Sequence, residues 1–201
     1  VTFAQLIEHS AGLTDMTRLE WESHSPLSLK QAFAVDPSSR TIKWQPGLHC
    51  SYSNSGAGIA AYVIEHVTGK NFEDVVTQQV FAPIGLTSAT YRLTEAVRES
   101  LISGYDTDGT TPIRYWDMLY PAFGGLNIRA EQMALLIRLF LNQGTLGTSE
   151  VLDQVFSRDQ IDRMSTPTTT LGARTGLGYG YGLGLYHFNS KGVPFIGHGG
   201  D

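Results

Sequence analysis

The chain has 201 residues, 14 lysines and arginines against 19 aspartates and glutamates, a formal net charge of −5 and 41% hydrophobic residues. That length suits one domain or two small ones with a sizeable core, and the plentiful apolar residues exclude a disordered chain. The acidic balance, with lysines scattered at Lys30, Lys43, Lys70 and Lys191, argues against nucleic acid or an anionic membrane as partner, and no apolar run nears the roughly 20 residues of a membrane-spanning helix.

In chain order, Thr2 with Gln5 forms a capping-box pattern opening a helix with Phe3, Leu6 and Ile7 on its apolar face, and Gly12 stops it. Residues 14–47 read as a loop with a short helix near Ser28–Val35, closed by a Pro46-Gly47 turn. The clearest helix runs from Gly56 to Thr68. There Ile59, Val63 and Val67 recur at i, i+4 and i+8 as a stripe to bury, with Ala60 and Ile64 beside it and Gly69 past the end. Asn71 is placed to cap the next helix, which Pro83 and Gly85 end.

Residues 86–125 are irregular and aromatic-rich, and so long a stretch without a pattern points to a covering or site-forming role. A strong helix follows within residues 129–144, with Met133, Leu136, Ile137, Phe140 and Leu141 expected to face inward; Ser157 with Gln160 opens a shorter one. From Leu177 glycine alternates with tyrosine or leucine at period two, and GVPFIGHGG supplies a hairpin partner.

Several sharp motifs are absent: no Walker A sequence, no HExxH, no G-x-S-x-G. GAGIAA at residues 56–61 matches the dinucleotide fingerprint, but polar CSYSNS precedes it where a hydrophobic strand is needed. Those small residues read as close helix packing. The lone Cys50 excludes an internal disulfide framework and a multi-cysteine metal site. The histidines (His9, His24, His49, His66, His187, His198) form no pair at helical spacing, so most read as surface or internally satisfied residues and a metal site is not expected. His198 stands apart because it ends an apolar strand.

Tyr52-Ser53-Asn54 is weak alone, since a helix cap explains it equally well. Order changes that. The segments TFAQLIEHSAGL, PGLHCSYSNSGAGIAAYVIEHVTGK, FAPIGLTSATY, FGGLNIRAEQMALLIRLFLNQG, YGYGLGL and GHGG together resemble the serine β-lactamase-like superfamily. That superfamily comprises class C β-lactamases, D-Ala-D-Ala carboxypeptidases and related esterases, and the resemblance covers essentially the whole chain. It implies an α/β fold of the α+β type, β-lactamase/transpeptidase-like. The chain would be one incomplete domain, with residues 1–170 mainly the helical region and residues 171–201 the first strands of the antiparallel sheet.

The resemblance also implies a site assembled from a Ser-x-x-Lys nucleophile, a Tyr-x-Asn and a Lys/His-x-Gly strand. Tyr52 and Asn54 match the second, and His198 with Gly200 the third. Tyr52 is then the general base, which requires a nearby cation to lower its pKa from about 10. Asn54 positions substrate and lysine, while His198, Gly199 and Gly200 line the acyl site. Tyr105 and Trp116 are candidates for the pocket wall and equally readable as core aromatics. No lysine has Ser or Thr three positions before it; Leu27, Arg40, Val67 and Phe188 stand there instead. The chain is therefore expected to be an internal piece of a longer enzyme, inactive alone, whose nucleophile precedes Val1. The implied function is a serine hydrolase acting through an acyl-enzyme on a β-lactam, D-alanyl peptide or ester. It would use no cofactor, take a small-molecule or peptide acyl substrate, and work in the periplasm or outside the cell. A non-catalytic relative that uses the cleft to bind cell-wall material or peptide fits the missing motif too.

Overall fold

The computed structural model describes residues 1–21, 27–147 and 152–200, so His24 lies outside the described residues. α1 (Phe3–Ile7) opens as its capping box dictates: Thr2 accepts the Gln5 N–H, and Gln5 Oε1 accepts the Thr2 N–H at 2.9 Å. One turn of 3-10 helix at Arg18–Glu20, α2 (Leu29–Ala32) and a second 3-10 turn at Pro37–Arg40 follow. Tyr120 and Glu20 are buried beneath this stretch, where the Tyr120 hydroxyl and Arg40 Nη1 each donate to Glu20 Oε1 at 2.6 Å.

α3 (Asn54–Thr68) ends at Gly69 in the left-handed conformation, but it does not bury the stripe its spacing marks. Val63 and Val67 are exposed, and the buried residues are Asn54, Ser55, Gly56, Gly58, Ala60 and Ala61. Small side chains win because they let neighbouring backbone come close. A Cβ on Gly56 would stand 2.8 Å from the Leu6 carbonyl oxygen, and one on Gly58 would stand 2.9 Å from the Tyr120 ring. GAGIAA is thus a packing surface for α1 and Tyr120.

Asn71 sits at the start of α4 (Phe72–Val76), yet its side chain makes no cap bond; Glu65 Oε1 takes the Phe72 N–H at 2.9 Å instead. The helix passes through a π-helical turn at Thr77–Phe81 into α5 (Ala82–Ile84), with Gly85 ending it. Residues 86–125 carry more regular structure than expected: α6 (Glu95–Ser100), a hairpin of β1 (Gly104–Tyr105) and β2 (Pro112–Ile113), and α7 (Pro121–Gly124).

α8 (Ala130–Leu141) also departs from its pattern. It packs through Leu135, Leu136 and Leu139 onto Phe81, Ile84, Leu86 and Leu146, while Met133, Ile137 and Leu141 are exposed. Apolar residues occupy more than one face of this helix, so periodicity could not select the buried one. β3 (Thr145–Gly147) pairs with β4 (Leu152–Gln154), and α9 (Arg158–Ser165) opens on the Ser157–Gln160 capping box. After α10 (Leu171–Arg174), an antiparallel sheet runs in the order β5 (Gly180–Tyr181), β6 (Tyr186–Ser190), β7 (Val193–Gly197). Phe188 faces Phe195 across it, ring centroids 5.3 Å apart. Among the described residues no helix is long and apolar enough to cross a membrane.

One buried carboxylate joins the turn after α1 to the loop that follows α9. Glu8, with no exposed surface, accepts the Thr168 and Thr169 N–H groups at 2.9 and 2.7 Å, both threonine hydroxyls, and Arg163 Nη2 at 2.6 Å. Burial pushes the Glu8 carboxyl up, but these threonine donors together hold it below the ordinary carboxylate range. Glu8→Ala leaves these part-buried donors without their acceptor, so unfolding in urea should show a loss of roughly 2 kcal/mol. A loss below about 1 kcal/mol would mean the threonine loop is held by something else.

Candidate active site

Tyr52 lies just before α3, and the residues after it are fixed by side chains from the segment that follows α1. Ser53 stands at the N-cap position but caps nothing: its Oγ donates to the Thr14 carbonyl at 3.0 Å and its N–H donates to His9 Nδ1 at 3.2 Å. Asn54, the first residue of α3, gives its backbone N–H to Asp15 Oδ1 at 2.7 Å and its Nδ2 to Asp15 Oδ2 at 3.1 Å. The Tyr52 hydroxyl donates to Asn54 Oδ1 at 3.0 Å. The side chains of Ser53 and Asn54 therefore serve tertiary contacts rather than the helix end.

His9 forms the floor. It adopts φ 52°, a left-handed conformation unusual for a residue with a side chain, at the turn out of α1. Its ring lies 4.2 Å from that of Tyr52 and meets Tyr181 edge-on at 4.5 Å. His198, at the end of β7, brings its ring within 5.8 Å of Tyr52 and 5.6 Å of Tyr181. Gly199 and Gly200 continue from it into open space. The structure thus brings Tyr52 and His198 together around Tyr181, with Asn54 bonded to the Tyr52 hydroxyl, while Gly199 and Gly200 only follow His198 in the chain.

Tyr105 and Trp116 lie elsewhere. Tyr105 is 54% exposed on β1, and Trp116 lines a cavity of about 410 Å³ with Ile113, Tyr115, Met118 and Leu126; neither ring packs on Tyr52. Neither is a core aromatic. Reading the sequence missed His9, Asp15 and Tyr181 as parts of the site. The usable signal for the first two was their place in and just past HSAGL, a segment already matched by its order; Tyr181 sat within YGYGLGL.

The electrostatics hold both rings neutral. Burial, then the charge of Tyr181 and of Asp15, pushes the Tyr52 hydroxyl above its ordinary value. Burial and the nearby His198 push His9 down from 6.5 to about 4, and the Ser53 N–H donated to Nδ1 suits the neutral ring. Burial also raises the Cys50 thiol, so this cysteine is not an activated nucleophile. Among the described residues no group of three or more His, Cys, Asp or Glu side chains is arranged to hold a metal.

A layer of helices packed beside an antiparallel sheet, with Tyr52 and Asn54 at the start of α3 and His198 at the end of β7, has the architecture of a β-lactamase-like fold. The sequence matches the Beta-lactamase family over residues 1–201, and the chain belongs to that family. It is 26% identical over 207 residues to penicillin-binding protein 4 of Amycolatopsis lactamdurans, covering 100% of this chain and 53% of that protein. It is 24% identical over 206 residues to a D-aminopeptidase of Cereibacter sphaeroides, covering 99% of this chain and 37% of that one. The D-amino acid amidase of Ochrobactrum anthropi SV3 superposes with a TM-score of 0.70 at 17% identity, over 98% of this chain and 56% of that structure. The chain thus spans about half or less of the length of the curated relatives it matches.

His9 makes the site acid-sensitive. Its folded pKa is depressed, so as pH falls below 6.5 the unfolded chain takes up a proton that the folded one refuses, and stability falls. The loss should reach about 3 kcal/mol by pH 4. Glu8 and Glu20, held below 4.5, add to it only at the acid end. His9→Asn keeps an acceptor and tolerates the left-handed backbone, so urea unfolding of that variant should lose the slope between pH 6.5 and 4.5. An unchanged slope would place the titrating group elsewhere.

Proposed function

We propose that this chain supplies the base and strand side of an acyl-transfer site in a serine hydrolase, whose nucleophilic serine and partner lysine lie outside these residues. The convergence of Tyr52, Asn54 and His198, from two segments far apart in the chain, carries this reading. Acyl transfer there runs in two halves. The serine hydroxyl adds to a carbonyl carbon as its proton passes to the Tyr52 oxygen, and the departing amine or alcohol takes that proton back. Water then adds to the acyl carbon with Tyr52 accepting its proton, and as the bond to the serine oxygen breaks that proton passes to the serine and the acid leaves. Backbone N–H groups of the strand that ends at His198 face the developing oxyanion.

Tyr52 acts as a base only when ionised, and its surroundings here favour the phenol. A cation within about 4–6 Å reverses that preference, and among the described residues no lysine or arginine hydrogen-bonds the Tyr52 hydroxyl. The lysine of a Ser-x-x-Lys motif is the group the family resemblance assigns to that task. Since the named relatives include a D-aminopeptidase and a D-amino acid amidase, amides of D-amino acids and D-alanyl peptides are the first substrates to offer, with β-lactams and esters next.

Tyr52→Phe in the full-length protein removes the hydroxyl and leaves the ring on His9. It should lower kcat/KM for a D-alanyl anilide by about 10²–10⁴-fold with the urea midpoint little changed. Retained activity in the variant would remove Tyr52 from the mechanism. Ligand binding without turnover by the unmodified protein would favour a non-catalytic binding relative.

A further inference from the structure

An asparagine side chain can turn over, oxygen for nitrogen, with almost no change of shape, so the end that faces Tyr52 is decided by whatever holds the other end. Asp15 is that holder. Its Oδ1 accepts the N–H groups of Met16 at 2.8 Å and Asn54 at 2.7 Å, which aims Oδ2 at the Asn54 side chain. A carboxylate accepts and does not donate, so Asn54 turns its nitrogen to Asp15 and its oxygen to Tyr52. The Tyr52 hydroxyl is then obliged to donate to it.

We infer that Asp15 is a positioning residue for acyl transfer: by fixing the orientation of the Asn54 amide, it sets the direction of the Tyr52 proton and the proton affinity of the base. This rests on the proposed role of Tyr52. A hydrogen bond given by the phenol stabilises the protonated form, and a carboxylate behind it acts in the same sense. Asp15 thereby keeps Tyr52 a strong proton acceptor once it is ionised, and leaves its remaining lone pairs free of Asn54.

The backbone under Asp15 is held without its carboxylate. Leu13 bridges Ile42, the Thr14 N–H donates to the Thr41 carbonyl at 2.9 Å, the Thr14 hydroxyl donates to the Ser39 carbonyl, and Ser53 Oγ donates to the Thr14 carbonyl. Asp15→Asn exchanges a carboxylate for an amide of nearly the same shape, at an exposed residue, and touches none of the contacts that hold this ledge. In that variant the oxygen of the new amide keeps the Asn54 N–H, and its nitrogen becomes a donor where the carboxylate only accepted. Asn54 then turns its oxygen toward position 15 and its nitrogen toward Tyr52, whose oxygen must accept. The other titratable groups facing Tyr52 are His9, Tyr181 and His198, and none of them is altered.

The test is a ¹³Cζ-tyrosine NMR titration of the full-length protein and its Asp15→Asn variant, with Tyr52 assigned from Tyr52→Phe, alongside the pH profile of kcat/KM. Tyr52 should titrate at lower pH in the variant, and the acid limb of kcat/KM should move to lower pH with it, at an unchanged urea midpoint. A Tyr52 titration that stays put or moves up in the folded variant overturns the assignment. If the titration moves and the pH profile does not, Asp15 still sets the Tyr52 proton, and it is the base role of Tyr52 that fails. An atomic-resolution crystal structure of the unmodified protein tests the orientation independently. Asn54 Nδ2 turned toward Tyr52 would overturn the proposal whatever the variant does.

Discussion

Glu8, His9 and Ser10 follow one another at the turn out of α1 with almost no exposed surface, and each reaches a different part of the chain. Glu8 takes the threonine loop behind α9, and Ser10 adds hydroxyl contact to Thr169 of that loop. His9 takes the Ser53 N–H and packs on Tyr52 and Tyr181, while its own carbonyl accepts the Ser51 N–H at 2.6 Å. Three buried polar side chains in a row are costly unless each is satisfied, and here each is. That requirement locks the start of α3, the threonine loop and the approach to β5 into one arrangement. The candidate site is built on it.

From this lock follows the chemistry. Tyr52 is pressed on a neutral imidazole, backed by an amide whose orientation a carboxylate dictates, and flanked by the end of β7. The close approach of α1 to α3 needs no side chain at Gly56, so the same small-residue run that imitates a nucleotide-binding fingerprint is what lets His9 come under Tyr52. Packing and proton control are set by neighbouring residues of one short segment.

Local chemistry was legible in the sequence where a few adjacent residues decide the outcome. The Thr2–Gln5 and Ser157–Gln160 boxes, Gly69 past α3 and the β6–β7 hairpin all appear as their residues dictate. The buried faces of α3 and α8 were not legible, because both helices carry apolar residues on more than one side and the partner chooses among them. In α3 the partner chose glycine and alanine over valine. Tyr52, Asn54 and His198 emerged only from the order of whole segments, and no local pattern separated Asn54 from a cap. Asp15 and His9 escaped notice because an aspartate in a loop and a histidine after a helix are common; what gives them weight is the contacts they make across about forty residues. Trp116 and Tyr105 drew attention as aromatic bulk, and they line or flank a different cleft.

The most direct test of the central claim is to treat the full-length protein with a fluorophosphonate and map the modified residue by peptide mass spectrometry. The account predicts one adduct, on a serine outside residues 1–201, with a much lower labelling rate in Tyr52→Phe. An adduct on Ser10, Ser53 or Ser55, or none at all under conditions where the protein turns over a D-alanyl amide, would contradict it.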